Sequence, residues 1–340
     1  MKYRLLADTG VFVSELCLGT MTFGGRGQMW EVIGGLDQPE VDGIVGRALD
    51  AGVNFIDTAD VYSAGESETM VGKALAGRRS QVVLATKVRG RMGKGPNQVG
   101  LSRLHILEAV EASLTRLGTD YIDLYQIHRF DPLTRLEDTL RALDDLVRAG
   151  KVRYVGCSNL AAWQLMKALA ISREAGLERF RCTQSYYSLA GRELEREMIP
   201  LLKDQGLGLL VWSPLAGGFL SGKFTREGGD ESARRAKFDF PPVNKEQGFA
   251  ILDVLIPMAA ARGKTVPQVA LAWILANEAV TSVIIGAKKI EQLDDNLKSV
   301  DVTLSADELK ALDEASKLTV EYPAWMDALG FDRRPGERRY

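Results

Sequence analysis

Residues 54–62 read Asn-Phe-Ile-Asp-Thr-Ala-Asp-Val-Tyr. A short apolar run stops at Asp57, and the phenol of Tyr62 follows. Two later stretches have the same form: Val82-Val-Leu-Ala-Thr-Lys87 and Ile122-Asp-Leu-Tyr-Gln-Ile-His128. A buried parallel strand whose C-terminal end opens into a site reads in this way. Three strand ends therefore offer a carboxylate, a phenol, an ammonium and an imidazole, the parts of a proton-transfer device.

Apolar runs rich in Val, Ile and Leu recur near residues 16–19, 53–57, 82–86, 122–127, 153–157, 182–185, 208–212 and 282–285, eight in all. Helical patterns lie between them. Ser102–Leu117 places Leu104, Leu107, Val110, Leu114 and Leu117 on one face, with Ser102 to cap its start and Gly118 to end it. Leu133–Ala149 repeats the pattern with Leu136, Leu140, Leu143 and Leu146, followed by Gly150, and Ser305-Ala-Asp-Glu308 has the form of a capping box. The opening, Lys2–Leu6 and Val11–Leu16 around Asp8-Thr-Gly10, reads as a hairpin.

Eight strands alternating with helices fit either a parallel barrel or a doubly wound sheet. Polar residues end strands two to seven, and they have to meet around one centre. A closed barrel gathers its strand ends that way, whereas an open sheet strings them along a line. The expected fold is α/β: a (β/α)8 TIM barrel with an N-terminal β-hairpin, as a single domain over residues 1–340. Two long loops, Thr22–Leu36 and Ala216–Gly248, are expected at the C-terminal face, where loops cover or select ligands.

The 340-residue chain is 46% hydrophobic and 26% charged, an ordinary globular balance. A net charge of -2 gives no reason to expect nucleic acid or an anionic membrane as partner. No apolar run approaches the ~18 residues of a membrane span. Cys17, Cys157 and Cys182 are far apart, without metal-ligand spacing, and the first residues lack a signal-peptide core, so a cytoplasmic location is expected and no metal. Gly90-Arg-Met-Gly93-Lys-Gly95 has the wrong spacing for a Rossmann dinucleotide loop.

The chemistry of the four strand-end groups follows from their types. Free tyrosine titrates near about 10, and a neighbouring ammonium favours phenolate. Lys87 is expected to lower Tyr62 in this way, with Asp57 holding Lys87 charged. Tyr62 could then give a proton to a substrate oxygen or take one from it, with His128 hydrogen-bonding and stabilising the same oxygen. A strand-end lysine also suits Schiff-base chemistry, which leaves a barrel aldolase open as an alternative. His105, within the first helix, is read as surface or packing.

These segments resemble the aldo-keto reductase signature, bacterial in type and similar also to the potassium-channel beta subunits. Gly156-Cys-Ser-Asn159, Gln184-Ser-Tyr-Tyr, Trp212-Ser-Pro-Leu-Ala-Gly-Gly-Phe-Leu-Ser-Gly-Lys223 and Ile285-Gly-Ala-Lys-Lys-Ile-Glu-Gln-Leu-Asp-Asp-Asn296 extend the likeness from about Tyr3 to Trp325. The resemblance implies an NADP-dependent reductase of small carbonyl compounds, with Asp57, Tyr62, Lys87 and His128 as its catalytic tetrad. It implies that Ser158, Asn159 and Gln184 hold the nicotinamide carboxamide, that Trp212 stacks on the ring, and that Thr20, Met21 and Asp57 border it. Ser213, Pro214, Leu215, Gly217 and Lys223 follow the pyrophosphate, with Arg234 and Arg235 near it. Gly286, Lys288, Gln292, Asp295 and Asn296 hold the adenosine end, and Lys288 at a helix start favours the 2′-phosphate. Trp30 joins Thr20, Met21, Tyr62 and His128 around the substrate. Tyr322-Pro-Ala-Trp325 resembles a C-terminal element packed near the barrel. The channel subunits suggest a second possibility, a cofactor-sensing regulatory subunit; His128 favours the enzyme. Oligomeric state stays open.

Overall fold

The computed structural model describes residues 1–25, 27–226, 228–229 and 234–327. A hairpin of β1 (Tyr3–Leu5) and β2 (Phe12–Ser14) opens the chain, closed by the Leu6 N–H donating to the Val11 carbonyl at 2.8 Å. Eight strands then form a closed parallel barrel: β3 (Leu16–Gly19), β4 (Phe55–Asp57), β5 (Val83–Val88), β6 (Ile122–Ile127), β7 (Val152–Ser158), β8 (Cys182–Tyr186), β9 (Gly208–Trp212) and, after the short hairpin β10 (Phe224–Thr225) and β11 (Gly228–Gly229), β12 (Val280–Ile285), which pairs with both β9 and β3. The expected (β/α)8 barrel and its N-terminal hairpin are therefore the architecture observed.

Helices cover the barrel: α1 (Gln28–Ile33), α2 (Gln38–Asp50), α3 (Glu66–Ala74), α4 (Arg103–Leu117), α5 (Leu136–Arg148), α6 (Ala162–Ala175), α7 (Met198–Gln205), α8 (Arg234–Lys237), α9 (Lys245–Ala261), α10 (Val266–Leu275), α11 (Ile290–Leu297), α12 (Ala306–Ala315) and α13 (Ala324–Asp327). Their ends follow side-chain chemistry. Ser102 accepts from the His105 N–H to start α4, and Gly118, in the left-handed region at φ 61°, ends it. Ser305 and Glu308 close the expected capping box on α12; Asp37 with Glu40 and Thr265 with Gln268 do the same for α2 and α10.

Strand alternation sorts the barrel into layers. Cys17, Phe55, Ala85, Leu124, Cys182, Leu210 and Ile284 point inward and pack with Leu6 and Val13 of the hairpin, which plugs the N-terminal end. Two residues further along the same strands stand Asp57, Lys87, Gln126, Gln184 and Trp212. With a side-chain period of two, the apolar layer below dictates an inward polar layer above. The intervening residues, among them Ile56, Val88, Tyr125, Ile127, Leu209 and Val211, face the helices in the larger core.

Three local expectations are corrected. Leu104 is 52% exposed, whereas Val110, Leu114 and Leu117 are buried and Leu107 packs against the core, and the buried face of α4 also takes in His105, Ile106, Ala109 and Ser113. Helix α5 begins at Leu136 rather than Leu133: Asp131 accepts from the Leu133 N–H and the Thr134 hydroxyl and holds that stretch as a turn, leaving Leu133 94% exposed. Tyr322 and Trp325 lie ring against ring at 5.8 Å, tilted by 59°, and are exposed instead of packing on the barrel. The long loops also carry structure of their own, α1 in one and β10, β11 and α8 in the other. Replacing Ile106 with Ala is expected to cost about 2–5 kcal/mol, whereas Leu104→Ser costs within about 0.5 kcal/mol. Denaturant unfolding of the two variants checks this, and equal losses would restore the original face.

Candidate active site

Tetrad and cofactor-facing residues come together at the C-terminal mouth of the barrel. Lys87 is fully buried, and its ammonium donates to Asp57 Oδ2 at 2.5 Å, to the Thr58 carbonyl at 2.8 Å and to the Tyr62 hydroxyl at 3.3 Å. The remaining oxygen of Asp57 accepts from Gln126 Nε2 at 3.0 Å and Gln184 Nε2 at 2.8 Å. Tyr62 opens a 3₁₀ turn, Tyr62–Gly65, in which Ser63 and Ala64 both have positive φ. Its ring meets the His128 ring edge-on at 5.9 Å and the Trp30 ring at 5.6 Å. The four groups read from the strand ends thus form one cluster, and Trp30 covers its phenol.

The electrostatics differ from the expectation in one respect. Burial pushes the Tyr62 phenol above its usual value, and the nearby Lys87 ammonium pulls it back without cancelling that effect. The phenol therefore stays protonated at neutral pH. Burial works against the charge on Lys87, but Asp57 and Tyr62 outweigh it and raise its pKa. An ammonium held so firmly is a poor amine nucleophile, which weighs against Schiff-base chemistry. Burial, with the cations Lys87, Arg129 and Arg89, lowers His128 to about 3, so its imidazole is neutral.

A second arc carries the residues read as cofactor-binding. At the end of β7, Asn159 has a φ of 56°. Its amide donates to Ser158 Oγ at 2.9 Å and the His128 carbonyl at 3.1 Å, while its oxygen accepts from Trp212 Nε1 at 3.0 Å. Ser158 in turn donates to the Gln184 carbonyl at 2.8 Å. One face of Trp212 is occupied by the Phe240 ring, parallel at 5.9 Å, and Tyr186 lies 5.2 Å away. After β9, Ser213, Ala216 and Gly217 all have positive φ, and Ser213 Oγ accepts from the Gly217 N–H. A Cβ at Gly217 would meet the Phe240 carbonyl at 2.2 Å, so the close approach there is to the protein's own chain. Pro214 is buried, Leu215 half-buried and Lys223 exposed.

Several residues have structural duties. Thr20 is buried, and both its N–H and its hydroxyl donate to the Asp57 carbonyl, while Met21 beside it is half-buried. Arg235 is buried and ties its loop together through the Ala216 and Pro241 carbonyls and Asp239; the side chain of Arg234 lies outside the described residues. Lys288 precedes α11, whose N-cap is Lys289, and its ammonium donates to the Val32 carbonyl at 3.1 Å. Gln292 accepts from the Lys288 N–H. Asp295 accepts from Thr265 and Gln268, and Asn296 is buried, so neither shares an open face with Lys288. A Cβ at Gly286 would meet open space. His105 is buried in packing.

Gln126 was missed by the reading from sequence. It is fully buried and bonded to Asp57. It stands two residues before His128, so strand parity alone places it inside the barrel. Gly156 makes room for it: a Cβ there would meet Gln126 Cγ at 3.3 Å and Cys182 Sγ at 2.9 Å.

Residues 15–317 match the model of the Aldo/keto reductase family. An uncharacterized oxidoreductase, YrpG, from Bacillus subtilis is 40% identical over 92% of this chain and 95% of its own length. The versiconal hemiacetal acetate reductase of Aspergillus parasiticus is 38% identical, with 92% and 96% covered. A probable voltage-gated potassium channel subunit beta from Oryza sativa is 37% identical, with 89% and 92% covered. The chain belongs to the aldo/keto reductase family of oxidoreductases. Among the described residues no helix is long and apolar enough to cross a membrane, and no group of His, Cys, Asp and Glu is placed to hold a metal ion.

With its pKa near 3, His128 is expected to stay neutral across about pH 5–8, where a free imidazole titrates. The unfolded chain binds a proton at this residue near about pH 6.5, so its contribution to stability is complete above that pH and lost as pH falls toward about 3. His128→Asn should flatten this part of the acid limb. An imidazole NMR signal of the folded protein, assigned by its loss in the variant, that titrates near 6.5 would contradict it.

Proposed function

We propose that this protein is an NADP-dependent reductase of aldehydes or ketones, with Tyr62 as proton donor. The observation that carries the reading is the Lys87 ammonium held between Asp57 and the Tyr62 hydroxyl. A protonated phenol beside a fixed cation is ready to give its proton to an oxygen gaining negative charge, and the cation then stabilises the phenolate left behind. Neutral His128 donates a hydrogen bond to the same oxygen and orients the carbonyl. Trp30 supplies an aromatic wall above Tyr62.

The residues fit a bound nicotinamide dinucleotide. In the strand order of the barrel, β4, β5 and β6 carry the proton-transfer groups, and β7, β8, β9 and β12 follow as one contiguous arc. Ser158, Asn159, Gln184, Trp212, Ser213, Gly217, Lys223, Gly286 and Lys288 all lie on that arc or just beyond it. These residues would hold the cofactor between the proton-transfer groups near Tyr62 and the start of α11 at Lys288. When bound it supplies hydride to the carbonyl carbon. Lys288 and Lys289 favour a 2′-phosphate over a free hydroxyl. The channel subunits among the relatives keep a regulatory role in view, but His128 beside Tyr62 favours turnover.

Tyr62→Phe is expected to lower carbonyl reduction by about a hundredfold or more while NADPH still quenches tryptophan fluorescence. Retention of most of the activity would refute the proton-donor role. Lys288→Ala should weaken NADPH about tenfold with little change in NADH; equal weakening of both, measured by the same titration, would remove Lys288 from the phosphate site.

A further inference from the structure

Two arginines at the substrate side are unexplained by the reductase chemistry. Arg89 follows β5 and Arg129 follows His128; the His128 N–H donates to the Val88 carbonyl at 2.9 Å, so the strand pairing continues and sets the two arginines on neighbouring strand ends beside His128. Arg89 has a φ of 126°, a conformation that L-residues rarely adopt and that concentrates at functional sites. Its Nε donates to the Phe130 carbonyl at 3.2 Å, which anchors the guanidinium by one edge.

Charge around this pair is unbalanced. From Arg89 to Arg103 the chain carries Arg89, Arg91, Lys94 and Arg103 and not one carboxylate, and of these Arg103 is paired with Asp145 on α5. Asp131 is the acid that acts on Arg89, but it already accepts from the Leu101 and Leu133 N–H groups and the Thr134 hydroxyl. Arg129 is exposed at the rim and, among the described residues, has no acceptor in the protein, while Arg89 is half-buried. After partial burial, the charge of Arg129 is the main influence lowering Arg89, and both guanidiniums act on His128. Like charges held together are unfavourable unless an anion joins them, and a guanidinium presents paired donors suited to carboxylate or phosphate. The Phe130 and Trp163 rings, 6.4 Å apart, form an aromatic edge beside the pair.

We infer that Arg89 and Arg129 form an anion subsite that selects carbonyl substrates bearing a carboxylate or phosphate away from the reacting carbon. The inference rests on the reductase reading and names its substrate class.

The test compares 4-carboxybenzaldehyde, 4-formylphenyl phosphate and the neutral methyl 4-formylbenzoate as substrates with NADPH at low salt. At least one anionic aldehyde should exceed the ester about tenfold in kcat/KM, and the larger ratio tells carboxylate from phosphate. Arg129→Ala should collapse that ratio, Arg129→Lys should restore part of it, and added salt should lower it. Equal use of all three, or a ratio unmoved by Arg129→Ala and Arg89→Met, overturns the subsite and leaves the reductase standing. Calorimetric titration with 4-(hydroxymethyl)benzoate and 4-(hydroxymethyl)phenyl phosphate separates the other failure. If nothing is reduced, binding of either that Arg129→Ala weakens supports the subsite while the reductase reading falls. No binding of either overturns both.

Discussion

The buried polar cluster at the mouth of this barrel is built on one ion pair. An ammonium with no exposure to water is costly to bury, and it persists only when it is paired and its remaining donors are satisfied. Lys87 meets that demand with Asp57, the Thr58 carbonyl and the Tyr62 hydroxyl. Asp57 meets it from the other side with two glutamine amides from β6 and β8. The pair therefore draws donors and acceptors from four strands, and it determines where Tyr62 can place its hydroxyl. It also weighs against amine chemistry, since the same contacts that keep the lysine charged make it a poor nucleophile.

Much of this was legible in the sequence because strands have a period of two. Runs such as Phe-Ile-Asp57 and Leu-Ala-Thr-Lys87 alternate between barrel interior and helix layer, so an apolar inward residue is followed by a polar one at the open end. The eight strands and the strand-end residues Asp57 and Lys87 were readable for that reason, whereas Tyr62 stands in the turn beyond β4 and was read from its place in the motif. Gln126 carried the same signal and was passed over because a neutral amide draws less notice than the histidine two residues on. What was not legible came from contacts between distant segments. The parallel Phe240 ring on Trp212, the buried Arg235 that ties its loop, and the Lys288 ammonium on the Val32 carbonyl all join loops without periodicity. The face of α4 was misread at Leu104 for a related reason: leucines dominate its pattern, but packing against the barrel favoured Ile106 and Ala109 over Leu104.

The contacts of Phe240 and Lys288 also bear on how the proposed cofactor would enter. Phe240 covers one face of Trp212, and Lys288 already serves a carbonyl of the helix that carries Trp30. A dinucleotide lying along this arc has to compete with both. On the proposed reading the loop after β9 and the loop after β3 would both respond to the cofactor through these contacts, and Trp30, in the loop after β3, lies 5.6 Å from the Tyr62 ring.

The distribution of backbone strain completes the division between the two ends of the barrel. Of the non-glycine residues with positive φ, Ala7 lies in the hairpin turn, while Ser63, Ala64, Arg89, Asn159, Ser213 and Ala216 all lie just beyond strand ends at the mouth. Each such residue costs of order 1–3 kcal/mol. The stabilising burial lies below, where the hairpin closes the apolar inner layer, and around the strands, where the helices pack. A scaffold built this way can hold side chains in unfavourable backbone conformations at one end because the other end does not need to move. Arg89 is among those strained residues, and the strain is directed at the rim beside His128. Holding a guanidinium in such a conformation makes physical sense where its direction matters to something that binds.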